Sequence, residues 1–345
     1  MNNSKILISG GAGFVGSNLT HFLISNFNIN QIIIVDNLIS SEDINIPKND
    51  KIRFILGSIA EDKILNELPN DLDYVFHLSC YHGNQSSIVN PFEDHKNNTT
   101  TSLKLFEKIS KNKRLKKVIY AAAGCAVAKK KYGEVDATLE EANVSLFHDS
   151  PYSISKLIGE MYGNYFFKKE GLPFVKARFQ NIYGPREFLG AGIWRGTINT
   201  VWRNVIPTFI WKALKEEKLF LDNDGTTSRD FIYVEDVVKG LIACAQKGIA
   251  GEAYNLATGM ETKIKDVANL IKQITKSKSE IVLIPNKREW DNSGNRFGST
   301  IKAKSELGFE SKISLSEGLE RTINWSIENK EHISSFINKH KDYLS

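Results

Sequence analysis

A glycine-rich segment near the start of the chain constrains the fold more than any other feature. Residues 6–16 read ILISGGAGFVG, with Gly10, Gly13 and Gly16 three residues apart between an apolar run and an amphipathic stretch. Glycines in such a turn let the backbone approach a ligand closely, and the helix that follows offers unpaired N–H groups and a partial positive charge. The segment therefore predicts a strand–turn–helix unit that binds a pyrophosphate.

Short apolar runs alternate with helix-like stretches through the first half of the chain. The runs predicted as strands are residues 5–9, 31–35, 51–56, 74–78, 117–121 and 174–178. The helices expected between them include residues 15–26, 92–111 and 152–169. Strands that are apolar on both faces and alternate with helices are typical of an α/β fold with a doubly wound parallel sheet, the Rossmann type.

The alternation loosens after residue 178. Helices are predicted in this part at residues 207–217, 234–246, 263–276 and 315–339. We therefore expect a nucleotide-binding Rossmann domain over residues 1–178 and a smaller, mainly substrate-binding lobe over residues 179–345. Whether the chain of this lobe crosses back to the first domain is left open.

Composition narrows the classes of partner. A net charge of +5, without a basic cluster and a matching motif, argues against nucleic-acid binding. The three cysteines, Cys80, Cys125 and Cys244, lack metal-ligand spacing, so no metal site is expected. No uninterrupted apolar run reaches the ~18 residues of a membrane span. A strand that starts at Lys5 leaves no room for a signal peptide, and a cytoplasmic protein is expected.

An acidic residue at the end of the second strand points to the cofactor. Asp36 follows Gly16 by 20 residues, and a carboxylate there binds ribose hydroxyls and repels a 2′-phosphate, which favours NAD over NADP. The residues expected to contact NAD are Gly10, Gly13, Phe14, Val15, Gly16, Asp36, Asn37, Leu78, Ser79, Tyr152 and Lys156.

Two of these residues also carry chemistry. Tyr152 and Lys156 lie in SPYSISK at the predicted start of a helix, and their four-residue spacing puts both side chains on one face. The ammonium of Lys156 favours the phenolate of Tyr152 and is placed to hold the nicotinamide ribose. Tyr152 is then expected to exchange a proton with a substrate hydroxyl while hydride moves to or from NAD.

Motifs along nearly the whole chain resemble the extended short-chain dehydrogenase/reductases that epimerise or dehydrate nucleotide sugars. They are SGGAGFVG, VDNL, HLSC, YSISK, RFQNIYGP and SRDFIYVEDV. The resemblance implies that Asn181 and Arg229 hold the substrate diphosphate, with Arg288 and Asn204 also in the substrate site. It further implies a homodimer that packs the helices near residues 92–111 and 152–169 into a four-helix bundle.

The segment after the fifth strand departs from this family pattern. Residues 120–128 read YAAAGCAVA, so Ala123 stands where the family carries a catalytic Ser or Thr. Cys125 falls where GDP-mannose 3,5-epimerases and GDP-fucose synthases carry an acid/base cysteine. The family's 4,6-dehydratases need Asp and Glu where Gly124 and Cys125 stand, which argues against that activity. The alternative for Cys125 is a small buried core residue.

Epimerisation through a C–H bond needs a second acid/base on the opposite face. Val205 stands where the GDP-mannose enzyme has a lysine, so His82, at the carboxyl edge of the fourth strand, is the candidate. An ordinary pKa of ~6.5 would suit proton transfer near neutral pH. The alternative is a loop histidine that packs on the cofactor.

Together, HGNQSS, AAGC and the WRGT…WRN stretch most resemble the WbmF-type enzymes of bacterial O-antigen clusters. That likeness implies a UDP-linked uronic acid, whose carboxylate Arg186, Arg195 and Arg203 are candidates to bind, surface solvation being the alternative. The function expected is epimerisation at C5, or at C3 and C5, through a transient 4-ketone, for surface polysaccharide synthesis. Two alternatives stay open: a C4 epimerase or dehydrogenase, and a non-catalytic NAD-binding sensor.

Overall fold

The computed structural model describes residues 1–126, 133–285 and 294–344 and, at Cys125, the backbone only. The strands in these segments are β1 Lys5–Ser9, β2 Gln31–Asp36, β3 Ile52–Leu56, β4 Tyr74–His77, β5 Lys117–Ala123, β6 Phe174–Phe179, β7 Asn181–Tyr183, β8 Leu219–Asp222, β9 Ser228–Arg229, β10 Phe231–Tyr233, β11 Ala253–Leu256, β12 Thr262–Lys263 and β13 Ile281–Ile284. The helices are α1 Phe14–Asn26, α2 Asp62–Glu67, α3 Asn84–Val89, α4 Pro91–Asp94, α5 Thr101–Ser110, α6 Pro151–Glu170, α7 Val205–Leu214, α8 Val234–Lys247, α9 Ile264–Thr275, α10 Leu315–Glu328 and α11 Lys330–Asn338.

A seven-stranded sheet with the order β11-β6-β5-β4-β1-β2-β3 forms the centre of the molecule. Every neighbouring pair in it is parallel. The direction of winding reverses between β1 and β4, and ligands of such sheets bind at the carboxyl ends of the strands beside that point. The predicted α/β fold with a doubly wound sheet is confirmed.

Helices cover both faces of this sheet, which explains why its strands are apolar throughout. One face packs on α1 and α8 through residues such as Leu19 and Leu241. The other packs on α5 and α6 through residues such as Phe106 and Phe166. A separate core joins α7, α9 and α10 with β8. This second core lies next to the carboxyl edge of the sheet and so helps to enclose the space above it.

Two of the predicted helices are not continuous α-helices in the structure. The helix expected over residues 315–339 is two helices, because Asn329 leaves the helical conformation between α10 and α11. β11, which also follows residue 178, joins the edge of the central sheet, so the chain crosses back to the first domain, a point that the sequence left open. Between α4 and α5 the predicted helix contains a π-helical stretch, His95–Thr100.

None of the helices in the described segments combines the length and the apolar character that crossing a membrane requires.

Candidate active site

A cavity of about 690 Å³ opens at the carboxyl edge of the sheet, between the sheet and the second core. It is lined by every residue expected to contact NAD, and also by His82, Asn181, Asn204 and Arg229. The volume is within the range of small-molecule and cofactor sites. Arg288 lies outside the described residues, as does the side chain of Cys125.

The glycine-rich turn between β1 and α1 is tightly built. Gly10 has a φ of +76°, and a Cβ there would lie 2.6 Å from the backbone nitrogen of Ser79. A Cβ on Gly16 would overlap the carbonyl oxygen of Gly10. The turn therefore requires glycine at both places, and it leaves the N-terminus of α1 open toward the cavity.

Asp36 is held in place at the end of β2 by three donors. Its carboxylate accepts hydrogen bonds from the backbone N–H groups of Ala12 (3.0 Å) and Leu38 (2.9 Å) and from the hydroxyl of Ser41 (2.9 Å). Burial raises its pKa, against the opposing effect of these hydrogen bonds. Since a carboxylate accepts about four hydrogen bonds, capacity remains for a ribose hydroxyl.

The start of α6 places the tyrosine–lysine pair. Ser150 caps the helix by accepting a hydrogen bond from the N–H of Ser153 at 3.3 Å, and Pro151 occupies the first turn. Lys156 is buried, donates to the carbonyl of Ala121 at 2.9 Å, and has its ammonium 5.9 Å from the centre of the Tyr152 ring. A positive charge held at this distance favours a phenolate on Tyr152.

A buried polar chain supports the strand ends beneath the site. His77 bonds through Nδ1 to Ser9 at 2.6 Å and through Nε2 to Ser102 at 3.0 Å. Burial, with a smaller effect of Lys156, lowers the pKa of His77 to about 3, so the imidazole is neutral. A neutral ring satisfies one donor and one acceptor at once, which suits two hydroxyl neighbours.

The end of β5 offers no side-chain hydroxyl to the cavity. Ala121, Ala122 and Ala123 line the cavity wall at the end of β5, where none of them offers a hydrogen-bonding side chain. The backbone of Cys125 lies in the 3₁₀ turn Gly124–Ala126 that follows directly. The acid/base role expected for its thiol therefore stays a prediction.

His82 faces Tyr152, with ring centres 6.1 Å apart and the rings edge to face. Burial, then Arg203, Arg195 and Lys156, lower the pKa of His82 to about 3. The expectation of an imidazole that titrates near neutral pH is therefore wrong for this environment. His82 is neutral at physiological pH, and an anion that offsets the nearby positive charges would make it a stronger base.

The three arginines expected to bind a carboxylate differ in their surroundings. Arg203 donates to the carbonyls of Ser40 (2.9 Å) and Ala191 (2.6 Å), which ties its loop to the segment after β2. Arg186 donates to the side chain of Asn18 at 3.1 Å. The guanidinium of Arg195 is buried, and none of its three nitrogens has a hydrogen-bond partner among the residues described.

The part of the cavity formed by the second core contains the substrate residues implied by the family resemblance. Asn181 lies on β7, and Arg229 on β9 donates to the carbonyls of Ser228 at 2.7 Å and Gly294 at 2.6 Å. Lys212 of α7 has its ammonium 5.4 Å from the ring centre of Trp202. Cations and aromatic rings together suit a nucleotide diphosphate.

Glu187 is a cavity residue that sequence reasoning missed. Its carboxylate accepts a hydrogen bond from the side-chain amide of Asn204, and burial raises its pKa to about 7. The available signal was an acidic residue inside a loop rich in Gly, Arg and Trp, but a sequence does not show that this side chain is buried.

Comparison with known proteins identifies the family. Residues 6–257 match the NAD dependent epimerase/dehydratase family. The chain belongs to this family. A similar solved structure is the Bordetella bronchiseptica enzyme WbmF in complex with NAD⁺, at 50% identity and a TM-score of 0.89, covering 99% of this chain and 98% of that one. WbmF has also been solved with NAD⁺ and UDP.

Two further family members are less similar. The UDP-glucose 4-epimerase of Thermotoga maritima, solved with UDP-glucose, is 32% identical with a TM-score of 0.83, covering 94% of this chain and 99% of that one. The UDP-N-acetyl-alpha-D-glucosaminuronate decarboxylase of Bacillus cytotoxicus is 31% identical, covering 94% of this chain and 99% of its own length. The predictions of the epimerase/dehydratase family, of an NAD-dependent enzyme and of NAD as cofactor are confirmed.

The residues present fit NAD as this family requires. The turn around Gly10 and Gly16 has no room for side chains and suits a pyrophosphate. Asp36 has acceptor capacity for a ribose, and Lys156 is fixed beside Tyr152. NAD supplies hydride acceptance and return at such a site, while the protein holds the substrate and moves the proton.

Proposed function

We propose that this family member is an epimerase that inverts C5, or C3 and C5, of a UDP-linked sugar acid through a transient ketone at C4. The observation that carries the proposal is the pair of guanidinium groups, Arg195 and Arg203, whose charges act together on His82. Arg203 is half-buried and lines the cavity, Arg195 is buried behind it, and such cations without carboxylate hydrogen-bond partners favour an anionic ligand. The decarboxylase relative is named for a UDP-linked sugar acid, and WbmF binds UDP.

In the proposed mechanism the first proton transfer is to Tyr152. Its phenolate, favoured by the ammonium of Lys156, takes the proton of the C4 hydroxyl as the C4–H bond is oxidised. The hydrogen on C5 then lies next to a ketone as well as a carboxylate, so it becomes more acidic. Tyr152 returns its proton to the C4 oxygen when the ketone is reduced again, and no net oxidation occurs.

The inversion itself needs one group on each face of C5. Cys125, directly after β5, and His82, after β4, are the proposed pair. Burial and, after it, the charges of Arg203, Arg195 and Lys156 lower the pKa of His82, and a substrate carboxylate beside the ring would offset these charges. Substrate binding would thereby make His82 more basic, whereas a ligand without an anionic group there would not.

Solvent exchange tests this proposal. The enzyme is incubated in deuterated water with UDP-glucuronic acid, other UDP-linked sugar acids and their neutral counterparts, and the recovered sugars are weighed by mass spectrometry. Deuterium gain on carbon, confined to the acids, is expected. Cys125→Ser and His82→Gln should each lose it; a Cys125→Ser enzyme with full turnover would contradict the role of the thiol. Loss of carbon dioxide without deuterium gain in the remaining sugar acid would point to decarboxylation instead.

A C4 epimerase is the second candidate. It is favoured by the similarity to the Thermotoga maritima UDP-glucose 4-epimerase and needs only Tyr152, Lys156 and NAD. It predicts inversion at C4 of a neutral UDP-sugar with no deuterium gain on carbon.

We also infer that two copies of the chain associate through α6. Three apolar side chains spaced along this helix are exposed, Ile154 (46%), Met161 (55%) and Tyr165 (57%). A four-helix bundle between two copies would cover this stripe. The inferred setting is cytoplasmic synthesis of surface polysaccharide. The mass in solution tests the dimer, and Met161→Lys with Tyr165→Lys should give monomers.

A further inference from the structure

Glu187, which is buried, and Asn204, which is half-buried, form a pair inside the cavity. Glu187 is only 5% exposed, and both residues line the cavity. One carboxylate oxygen, Oε1, accepts a hydrogen bond from the Asn204 amide. The other, Oε2, has no hydrogen-bond partner in the described part of the chain. A buried carboxyl oxygen without a partner is costly, so a group from a ligand is the natural partner.

The side chain of Asn204 bonds to Glu187 and does not cap the helix that begins after it. It occupies the N-cap position of α7, where asparagine is favoured because its side chain bonds to the first free N–H groups of a helix. Here the side chain makes no such bond. It donates to Glu187 instead, and because a carboxylate only accepts hydrogen bonds, the amide orientation is fixed with its carbonyl oxygen directed away from Glu187.

The cation Arg203 acts on Glu187, and other cations line the same cavity. Burial raises its pKa to about 7, and the hydrogen bond from Asn204 and the charge of Arg203 oppose that rise. Arg186 and Lys212 line the same cavity. Glu187 therefore exchanges its proton near neutral pH, and an anion that enters the cavity favours the protonated form.

We propose that Glu187 is a proton-linked positioning residue for the nucleotide sugar, which holds Asn204 toward the substrate and takes up one proton when the anionic substrate binds. The proton resides on Oε2, which then donates a hydrogen bond to a substrate oxygen. This inference rests on the proposed function only in requiring an anionic nucleotide sugar; it does not depend on which carbon is inverted.

Binding of UDP-glucuronic acid to the NAD-loaded enzyme tests the inference, because this probe has no group that titrates near neutral pH. Calorimetry in buffers of different ionisation enthalpy, at pH values on both sides of 7, measures affinity and proton uptake together. The wild type should take up close to one proton at pH values above 7, with affinity that falls as pH rises, by up to about tenfold per unit.

Matched variants separate the proton from the shape of the side chain. Glu187→Gln mimics the protonated acid, so binding should be tight and should not vary over this pH range. Glu187→Ala should bind more weakly at every pH, and combining it with Asn204→Ala should add little further loss. Glu140→Gln is the control: Glu140 is also a buried carboxyl with a raised pKa, held by the N–H of Asn255 outside the cavity, and its replacement should leave the pH dependence intact.

Three results would overturn the proposal. Unchanged pH dependence and proton uptake in Glu187→Gln would show that another group takes the proton. Additive losses in the double variant would show that Glu187 does not act through Asn204. Failure of the wild type to bind the probe at any pH would contradict both this inference and the proposed sugar acid, whereas binding without epimerisation would contradict only the proposed reaction.

Discussion

The cavity has a cofactor side, around Gly10, Asp36 and Lys156, and a sugar side, around Glu187, Arg203 and Thr208. The two sides differ in whether their polar groups have hydrogen-bond partners within the protein. On the cofactor side, Gly10 donates to the carbonyl of Val35 at 2.8 Å, Asp36 has three donors, and Lys156 has the carbonyl of Ala121. These polar groups on the cofactor side therefore have hydrogen-bond partners in the folded chain without a ligand. Its ligand adds hydrogen bonds to groups that already have partners.

On the sugar side, several buried groups lack partners among the residues described. These are Nε of Arg203, Oε2 of Glu187 and the hydroxyl of Thr208, with the three guanidinium nitrogens of Arg195 behind the cavity wall, over the ring of Tyr81. Such groups reduce the stability of the folded chain until a ligand meets them. The difference teaches that a ligand on the cofactor side adds to polar groups that already have partners, whereas a ligand on the other side would meet buried polar atoms that lack them.

The largest effect on turnover is expected at Tyr152, which lines the cavity where the cofactor side and the sugar side meet. Tyr152→Phe removes the hydroxyl that exchanges the substrate proton, so turnover should fall by ~10²–10⁴. NAD binding, followed by fluorescence titration, should persist because the hydroxyl is not needed to close the cofactor side. Tyr343→Phe, at an exposed position outside the cavity, should leave turnover unchanged; equal losses in both variants would contradict the assignment.

Two buried arginines offer a direct contrast in stability. Arg178 is paired with Glu160 through hydrogen bonds of 2.9 and 2.8 Å, so Arg178→Met leaves a buried carboxylate alone and should cost about 3–5 kcal/mol. Arg195→Met removes a charge that has no hydrogen-bond partner among the described residues. Its free energy of unfolding, from urea titration, should stay the same or rise. A loss comparable to that of Arg178→Met would mean that Arg195 is structurally paired.

Gly10 lies in the turn on the cofactor side, and Gly171 lies at the end of α6, outside the cavity lining. A comparison of the two distinguishes the effect of steric contact from the effect of backbone strain. Both have positive φ values, +76° and +71°, but only at Gly10 does a Cβ meet neighbouring atoms. Either alanine variant should lose about 1–3 kcal/mol of stability through strain. Only Gly10→Ala should also weaken NAD binding, since Gly171 ends α6 away from the cavity. Intact NAD affinity in Gly10→Ala would contradict the tight turn.

The effect of pH on the free energy of unfolding should be smaller than the effects of these substitutions, and it should appear only below pH ~6.5. His77 and His82 have folded pKa values of about 3, below the ~6.5 of an unfolded histidine. The unfolded chain therefore binds more protons between these values, and stability should fall as pH falls from about 6.5 toward 3, with no contribution above 6.5. His82→Gln should reduce that slope in urea titrations at several pH values; an unchanged slope would show that His82 does not contribute.

The cofactor side was predictable because its determinants are local. Gly10, Asp36 and Tyr152 each follow a recognisable strand or begin a helix, so spacing alone places them at one edge of a sheet. Arg195 and Glu187 were harder because their burial depends on distant contacts. Asn90 donates to the carbonyl of Arg195 at 2.9 Å across 105 residues, and no periodicity in the sequence reports such a contact.

The same limit explains the predictions that differ from the structure. Arg203, expected to bind a substrate carboxylate, also bonds through its terminal nitrogens to backbone carbonyls, which the sequence does not indicate. The lowered pKa of His82 likewise depends first on burial and then on arginines more than 100 residues away in the chain. The break at Asn329 between α10 and α11 depends on how α11 packs, through Ile333, against Phe188 and Trp211.

The most direct test of the account is the preference for an acidic over a neutral sugar. The affinities of the NAD-loaded enzyme for UDP-glucuronic acid and UDP-glucose are compared in the wild type, Arg195→Met and Arg195→Lys. We predict that the wild type prefers the acid by ~10-fold or more, as expected for a charge-assisted interaction, that Arg195→Met loses this preference, and that Arg195→Lys keeps part of it. An unchanged preference in Arg195→Met, or a wild type that favours the neutral sugar, would contradict the claim that the sugar side awaits a carboxylate.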